Sequence, residues 1–342
     1  MGTYTENIRL YEPGHRPPRL VAIGGGHGLS ALLRGLKRHT ANLTAIVTVA
    51  DDGGGSGVLR NDLGMPPPGD IRICMEALAN TEPLMEQLLG YRFPAGSGGL
   101  TGQAFGNLLL ASLNGISGSF DEAVGKMSQV LAITGRILPV TNADVTLEAT
   151  FENGTQIRGE SKIAAFKKAQ DCRIKKVRLL PERPEALPAT LQAIREADLI
   201  LLGPGSLYTS VIPNLLVDGI VEAIRGSEAT RVYIANIMTQ DGETEGMTLS
   251  DHVQALLDHS AEDLIDLCLA NCEPVPGDLV LRYQAEGAEP MVIDRGYLVQ
   301  HGIEVVERPT ISQGTRYARH DPDRLAQAIM DLYQERAETK IF

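Results

Sequence analysis

An α/β fold with a mainly parallel sheet flanked by helices, and one antiparallel hairpin inserted into it, is the architecture this sequence predicts. Two observations carry that prediction. Three short runs, at 20–23, 43–50 and 199–202, are apolar at nearly every position, as strands buried on both faces must be, and each ends in a glycine-rich turn. The segment 145–163 instead alternates Val145, Leu147, Ala149 and Phe151 with polar residues, then reaches Asn153-Gly154, the dipeptide of a type I′ hairpin turn.

Taken in chain order, residues 1–18 form a polar, proline-bearing arm that ends at Arg16, Pro17 and Pro18, and residues 19–342 form one large domain. The strand at 20–23 feeds Gly24-Gly25-Gly26-His27-Gly28, and Leu29, Leu32, Leu33 and Leu36 then recur at helical spacing. The strand at 43–50 runs into Asp51-Asp52-Gly53-Gly54-Gly55-Ser56-Gly57. Pro66, Pro67 and Pro68 give a rigid entry to a helix marked by Ile71, Met75, Leu78 and Ala79, with Asp70 at its N-cap. Helices follow over 103–113 and 121–134, then the hairpin, then a helix over 188–197. The strand at 199–202 runs into Gly203-Pro204-Gly205-Ser206, and 211–224 is largely helical. Beyond a strand at 231–237 comes a polar loop, a helix opened by Thr248 and Ser250, three short apolar runs, and a closing amphipathic helix over 322–338.

Composition narrows the function. At roughly 150 residues per domain, 342 residues suffice for two domains or one large one with an appended substructure. Lysine and arginine number 31 against 43 aspartates and glutamates, so the net charge of −12 repels nucleic-acid backbones and anionic lipid. The longest basic stretch, from Lys167 to Arg178, reads as a solvated face. Four scattered cysteines make neither a disulfide framework nor a zinc site. With no signal-peptide core and no run of 18 apolar residues, the expected compartment is the cytoplasm.

Chemistry concentrates where buried strands end in small-residue loops. Free N–H groups at a helix start, the helix dipole and glycine's lack of a side chain together suit a phosphate. Two such loops, at 24–30 and 203–210, would both lie at the carboxyl edge of one parallel sheet, where open α/β folds bind ligands. Neither is a dinucleotide fingerprint or a Walker motif, since Leu29 stands where a third glycine belongs and no Lys-Ser pair closes the loop. Asp51 and Asp52 can accept hydrogen bonds from a ribose or base, hold a divalent cation, or act as general base; they would repel phosphate, which therefore belongs nearer the glycines. Arg72 has the reach for a phosphate or a surface ion pair, and Asn107 needs a partner if buried. Asn236, Thr239 and Gln240 offer uncharged groups suited to a sugar or amide.

The segments VAIGGGHGLSALLRGLK, TAIVTVADDGGGSGVLR, PPPGDIR, GNLLLASL, LLGPGSLYTSVIPNLLV and ANIMTQDGETEG, in this order, closely resemble the YvcK group of the YvcK/CofD-like family, the gluconeogenesis factors. The resemblance spans residues 19–335. It implies a modified Rossmann-like fold and binding of a nucleotide-diphosphate sugar of the UDP-N-acetylglucosamine type. It also implies a regulatory role in gluconeogenic growth, cell shape and peptidoglycan supply, exerted through a protein partner the sequence does not identify. Carried position by position, the nucleotide pocket falls on Gly24, Gly25, Gly26, Gly28, Asp51, Asp52, Gly203, Gly205, Ser206 and Thr209, followed by Asn236, Thr239 and Gln240. Group members carry threonine where His27 stands, which puts that residue's phosphate contact in question. The CofD branch implies a different activity, a 2-phospho-L-lactate transferase using a nucleotide-activated phospholactate and Mg²⁺. A third reading, an NAD-binding protein, rests on the glycine loop and the acidic residues after it. Oligomeric state, including a homo-oligomer, is left open.

Overall fold

The structure is a computed structural model and describes residues 16–339. Most of the expected N-terminal arm, residues 1–15, lies outside the described residues. Its last three residues are tied down: Arg16 pairs with Asp198 at 2.8 Å, while the carbonyls of Pro17 and Pro18 accept from Asn42 and Thr40.

Seven strands build one sheet: β1 (Leu20–Gly24), β2 (Leu43–Val47), β3 (Arg136–Pro139), β7 (Leu199–Leu202), β8 (Thr230–Ile234), β9 (Leu267–Asn271) and β10 (Glu304–Arg308). Three more, β4 (Thr146–Phe151), β5 (Gln156–Arg158) and β6 (Ile174–Leu180), form a separate antiparallel sheet. In the larger sheet the order is β10-β9-β8-β7-β1-β2-β3 and every pairing is parallel. The chain winds outward from β1 through β2 to β3, then returns to the other side of β1 and winds outward again from β7 to β10. The winding reverses between β1 and β7, and the loops at their carboxyl ends lie side by side at the edge where open α/β sheets bind ligands. Every residue of β1 and β7 is buried, as the unbroken apolar runs require.

The second strand stops sooner than its apolar run suggests. Beyond Val47 it loses both neighbours: β1 turns away at Gly24, and β3 ends at Pro139, which has no N–H to give. Residues 48–50 continue as buried coil and carry Asp51 to the sheet edge.

The inserted hairpin is present as β4 and β5, but its turn is not type I′. Gly154 alone has a positive φ, 83°, its N–H bonds to the Phe151 carbonyl, and Asn153 Oδ1 accepts from Thr155. This is a type I turn followed by a left-handed glycine, the geometry of a three-residue hairpin loop. A third strand, β6, pairs with β4 and takes up much of the basic stretch. Arg158 and Arg178 converge on Glu148, which is 1 % exposed, and Lys167 is buried 3.2 Å from Glu245. Lys168, Arg173, Lys175 and Lys176 are exposed, as a solvated face requires, while Lys167 and Arg178 are drawn into ion pairs. Leu147, Ala149, Phe151, Val177 and Leu179 pack into the same core as the parallel sheet.

Among the described residues no helix is long and apolar enough to cross a membrane.

Candidate functional site

The first glycine turn joins β1 to the helix Gly26–Leu36. That helix starts with no side-chain cap of its own. The carboxyl of Asp70, on the helix Gly69–Leu78, lies against its first residues and is drawn toward the Gly26 amide. The fit is close: a Cβ on Gly25 would lie 2.3 Å from Asp70 Oδ2. Asp70 is therefore not the N-cap of its own helix, a position Pro68 takes, but a cap for a neighbour. Burial, then the nearby Asp51, pushes its carboxyl up to about 7.

The second turn, Gly203–Ser206, runs directly alongside the first. A Cβ on Gly28 would lie 2.4 Å from the Pro204 carbonyl oxygen, and one on Gly205 would lie 3.4 Å from the Gly25 oxygen. The two turns thus meet across the crevice between β1 and β7. Side chains from the loop after β8 hold the second one. Asn236 accepts from Gly205 N–H at 3.2 Å and donates to its carbonyl at 2.8 Å, and Ser206 Oγ donates to Gln240 at 2.7 Å. Glu243 Oε1 accepts from the amides of Tyr208 and Thr209 at 2.7 and 2.9 Å. Thr239 lies a step away, buried, bonded through backbone and hydroxyl to Glu289. Of the predicted residues in this half, Asn236 and Gln240 are thus already engaged with the protein itself.

The two adjacent aspartates part company. Asp51 accepts from Gly53 N–H at 2.7 Å and faces a cleft of ≈ 260 Å³ bounded by residues 53–56, Asp70, Arg72, Arg92 and Asn107. Asp52 turns away and accepts from Ser161 N–H at 2.9 Å, capping the helix Glu160–Gln170. Four of the loop's expected turn residues instead start a helix, Gly54–Leu63, whose opening N–H groups line the cleft. Arg72 is buried and donates Nε to Asn107 Oδ1 at 2.9 Å, which supplies the partner Asn107 needs. Partial burial of the His27 ring, then the fields of Arg319, Arg72 and Arg92, hold its pKa below the ordinary value.

Sequence reasoning missed Glu160 and Glu243. Glu160 bonds to Thr209, and burial together with the nearby Asp51, Asp70 and Glu243 pushes its carboxyl well up. Burial likewise raises Glu243, to about 7. No spacing in the chain links these carboxyls; only the fold joins them. Among the described residues, no three carboxylate, imidazole or thiol groups are placed to hold a metal ion. With Asp52 occupied by a helix cap, the Asp pair does not fit a resident Mg²⁺.

A family model described as 2-phospho-L-lactate transferase CofD matches residues 20–311. The chain belongs to the CofD family. Within it, the gluconeogenesis factor of Bacillus subtilis is 47% identical over 318 residues, covering 93% of this chain and 99% of that one. A relative from Thermoanaerobacterium thermosulfurigenes is 51% identical over 317 residues, 93% of this chain and 97% of its own. The crystal structure of a Bacillus halodurans protein, described as a member of the UPF0052 family, matches with a TM-score of 0.87 at 46% identity, covering 91% of this chain and 99% of that one. The Rossmann-like parallel sheet is thus shared by this CofD-family chain and a solved relative.

Proposed function

We propose that this chain is a cytoplasmic, nucleotide-sugar-binding regulatory protein of the gluconeogenesis-factor type, serving gluconeogenic growth, cell shape and peptidoglycan supply. Its ligand is of the UDP-N-acetylglucosamine type. One observation carries the reading: two glycine turns from opposite sides of the sheet's reversal point meet face to face, so amides from both can converge on one diphosphate. Gly24, Gly25, Gly26 and Gly28 supply one wall; Gly203, Gly205, Ser206 and Thr209 supply the other. Asn236, Thr239 and Gln240 stand beside the second wall, where the uncharged sugar end is accommodated. Asp51 accepts from ribose or sugar hydroxyls at the cleft edge; Asp52 acts by fixing the loop that carries it. The names of the relatives support the gluconeogenic role.

Isothermal calorimetry with UDP-N-acetylglucosamine tests this, with saturable binding expected at neutral pH. A folded protein that takes up no ligand at millimolar concentration excludes it.

The description of the family model, together with the open cleft between Asp51, Arg72 and Arg92, favours a second reading, a phosphotransferase with a separate acceptor pocket. A turnover assay with nucleotide-activated phospholactate, a deazaflavin acceptor and Mg²⁺ separates the two. Product formation selects the enzyme; intact nucleotide-sugar binding without product selects the regulator.

A further inference from the structure

Each glycine turn already holds a carboxyl of the protein where an incoming phosphate would seek amides. The Asp70 carboxyl lies against Gly25 and Gly26 at the start of an eleven-residue helix, and Glu243 accepts from Tyr208 and Thr209. The two come from different elements on opposite sides of the crevice, and a third carboxyl, Glu160, lies within electrostatic reach of both. Glu243 is 4 % exposed and its second oxygen, Oε2, has no hydrogen-bond partner. An unpartnered buried oxygen beside a second buried acid is the arrangement of a group poised to hold a proton.

We infer that Asp70 and Glu243 are built-in stand-ins for phosphate, and that a phosphorylated ligand enters this crevice together with protons taken up by these carboxyls. The inference rests on the diphosphate reading above. Two anions cannot share one set of amides without repelling each other. A carboxyl that gains a proton ceases to repel the phosphate and can donate to one of its oxygens.

The surroundings make the protonation inexpensive. Asp70 is faced by Asp51 from the loop after β2 and by Glu160 from the insert, with Arg72 on its own helix and Arg92 across the cleft as opposing cations and Cys74 behind it. Arg72 is itself paired with Glu76. Glu243 is faced by Glu160, by Glu245 in its own loop, and by the hydroxyls of Ser206, Tyr208 and Tyr233. Lys167 is paired with Glu245. Both carboxyls already sit near 7 without ligand. A bound phosphate raises them further, so affinity is greatest below pH 7 and falls as pH climbs above it.

Calorimetry with UDP-N-acetylglucosamine between pH 6 and 9 tests this. Both phosphates of that probe are diesters with no proton to exchange in this range, and its uracil imide ionises only at the top of it, so the pH dependence up to 8.5 belongs to the protein. The dissociation constant is expected to weaken at least about tenfold from pH 6.5 to 8.5. At pH 8, buffers of different ionisation enthalpy are expected to report net proton uptake. Asp70→Asn and Glu243→Gln, each confirmed folded by its melting transition, are expected to bind as tightly as the parent at pH 6.5 and more tightly at pH 8.5. An affinity that is constant across the range overturns the inference while leaving nucleotide-sugar binding intact. So does proton release with affinity rising toward pH 7, the signature of carboxyls swung out into water. Absence of binding at every pH overturns both readings.

Discussion

The two glycine turns lie against each other yet are built by different means. The first is shaped by close packing: Gly25 and Gly28 are glycines because Asp70 and Pro204 occupy the space a side chain would need. The second is shaped by side chains that reach across from the loop after β8, with Asn236, Gln240 and Glu243 bonded to its backbone and to Ser206. A turn made by steric fit is rigid at the level of covalent geometry, whereas a turn made by polar clamps can be released by exchanging one partner for another. The first is therefore the fixed jaw of the crevice and the second the adjustable one.

The largest test of that contrast falls on the first jaw's own carboxyl. Asp70 is pushed up to about 7 in the folded chain, above its ordinary range. The stability it contributes is full below pH 4 and is lost as pH rises to 7, because the folded state resists its ionisation. Asp70→Asn is expected to flatten melting temperature against pH, with the variant roughly 3 kcal/mol more stable than the parent at pH 8. A parent and variant with parallel pH profiles would show that Asp70 is not strained.

Gly28→Ala comes next. Its methyl meets backbone rather than a movable side chain, so a loss of about 1–3 kcal/mol in denaturant unfolding is expected, together with loss of ligand affinity. Gly205→Ala, across the crevice, has ordinary contact distances. It is expected to leave stability within about 0.5 kcal/mol while weakening affinity, since the methyl projects between the jaws. Equal destabilisation by both would erase the distinction between packed and clamped turns.

Asn236→Ala removes both bonds to Gly205 and is expected to cost about 1–2 kcal/mol. Gln240 is exposed and holds one bond from Ser206. Its replacement by alanine is expected to change unfolding by less than about 0.5 kcal/mol. A larger effect there than at Asn236 would move the main clamp of the second jaw outward.

How far the sequence reveals this site depends on the range of the forces involved. Strands β1 and β7 and the glycine turns after them follow from local apolar runs and glycines, whereas the strand order that sets β1 beside β7 comes from pairing that no local run records. The type I′ assignment fails because Asn153 keeps a negative φ and only Gly154 crosses over. The helix Gly54–Leu63 is hidden by four glycines, although Ser56 and Leu59 on its buried face hold it. Strands β3, β6 and β10 lack unbroken apolar runs because they lie at sheet edges or alternate between core and solvent. Asp51 and Asp52 are equivalent on paper, and only an amide 109 residues away makes one a helix cap. Glu160 and Glu243 carry no motif that marks them as neighbours, since folding alone brings them together.

The helix Glu160–Gln170 is fastened at three points. Asp52 grips its first turn, Lys167 reaches Glu245, and Lys168 reaches Asp241 at 2.5 Å. It thereby bolts the loop behind the fixed jaw to the loop behind the adjustable one, and it grows directly out of the small antiparallel sheet on the outside of the molecule. Helix and both loops are thus held as one piece, so any widening between the jaws would have to break these contacts or carry the helix along.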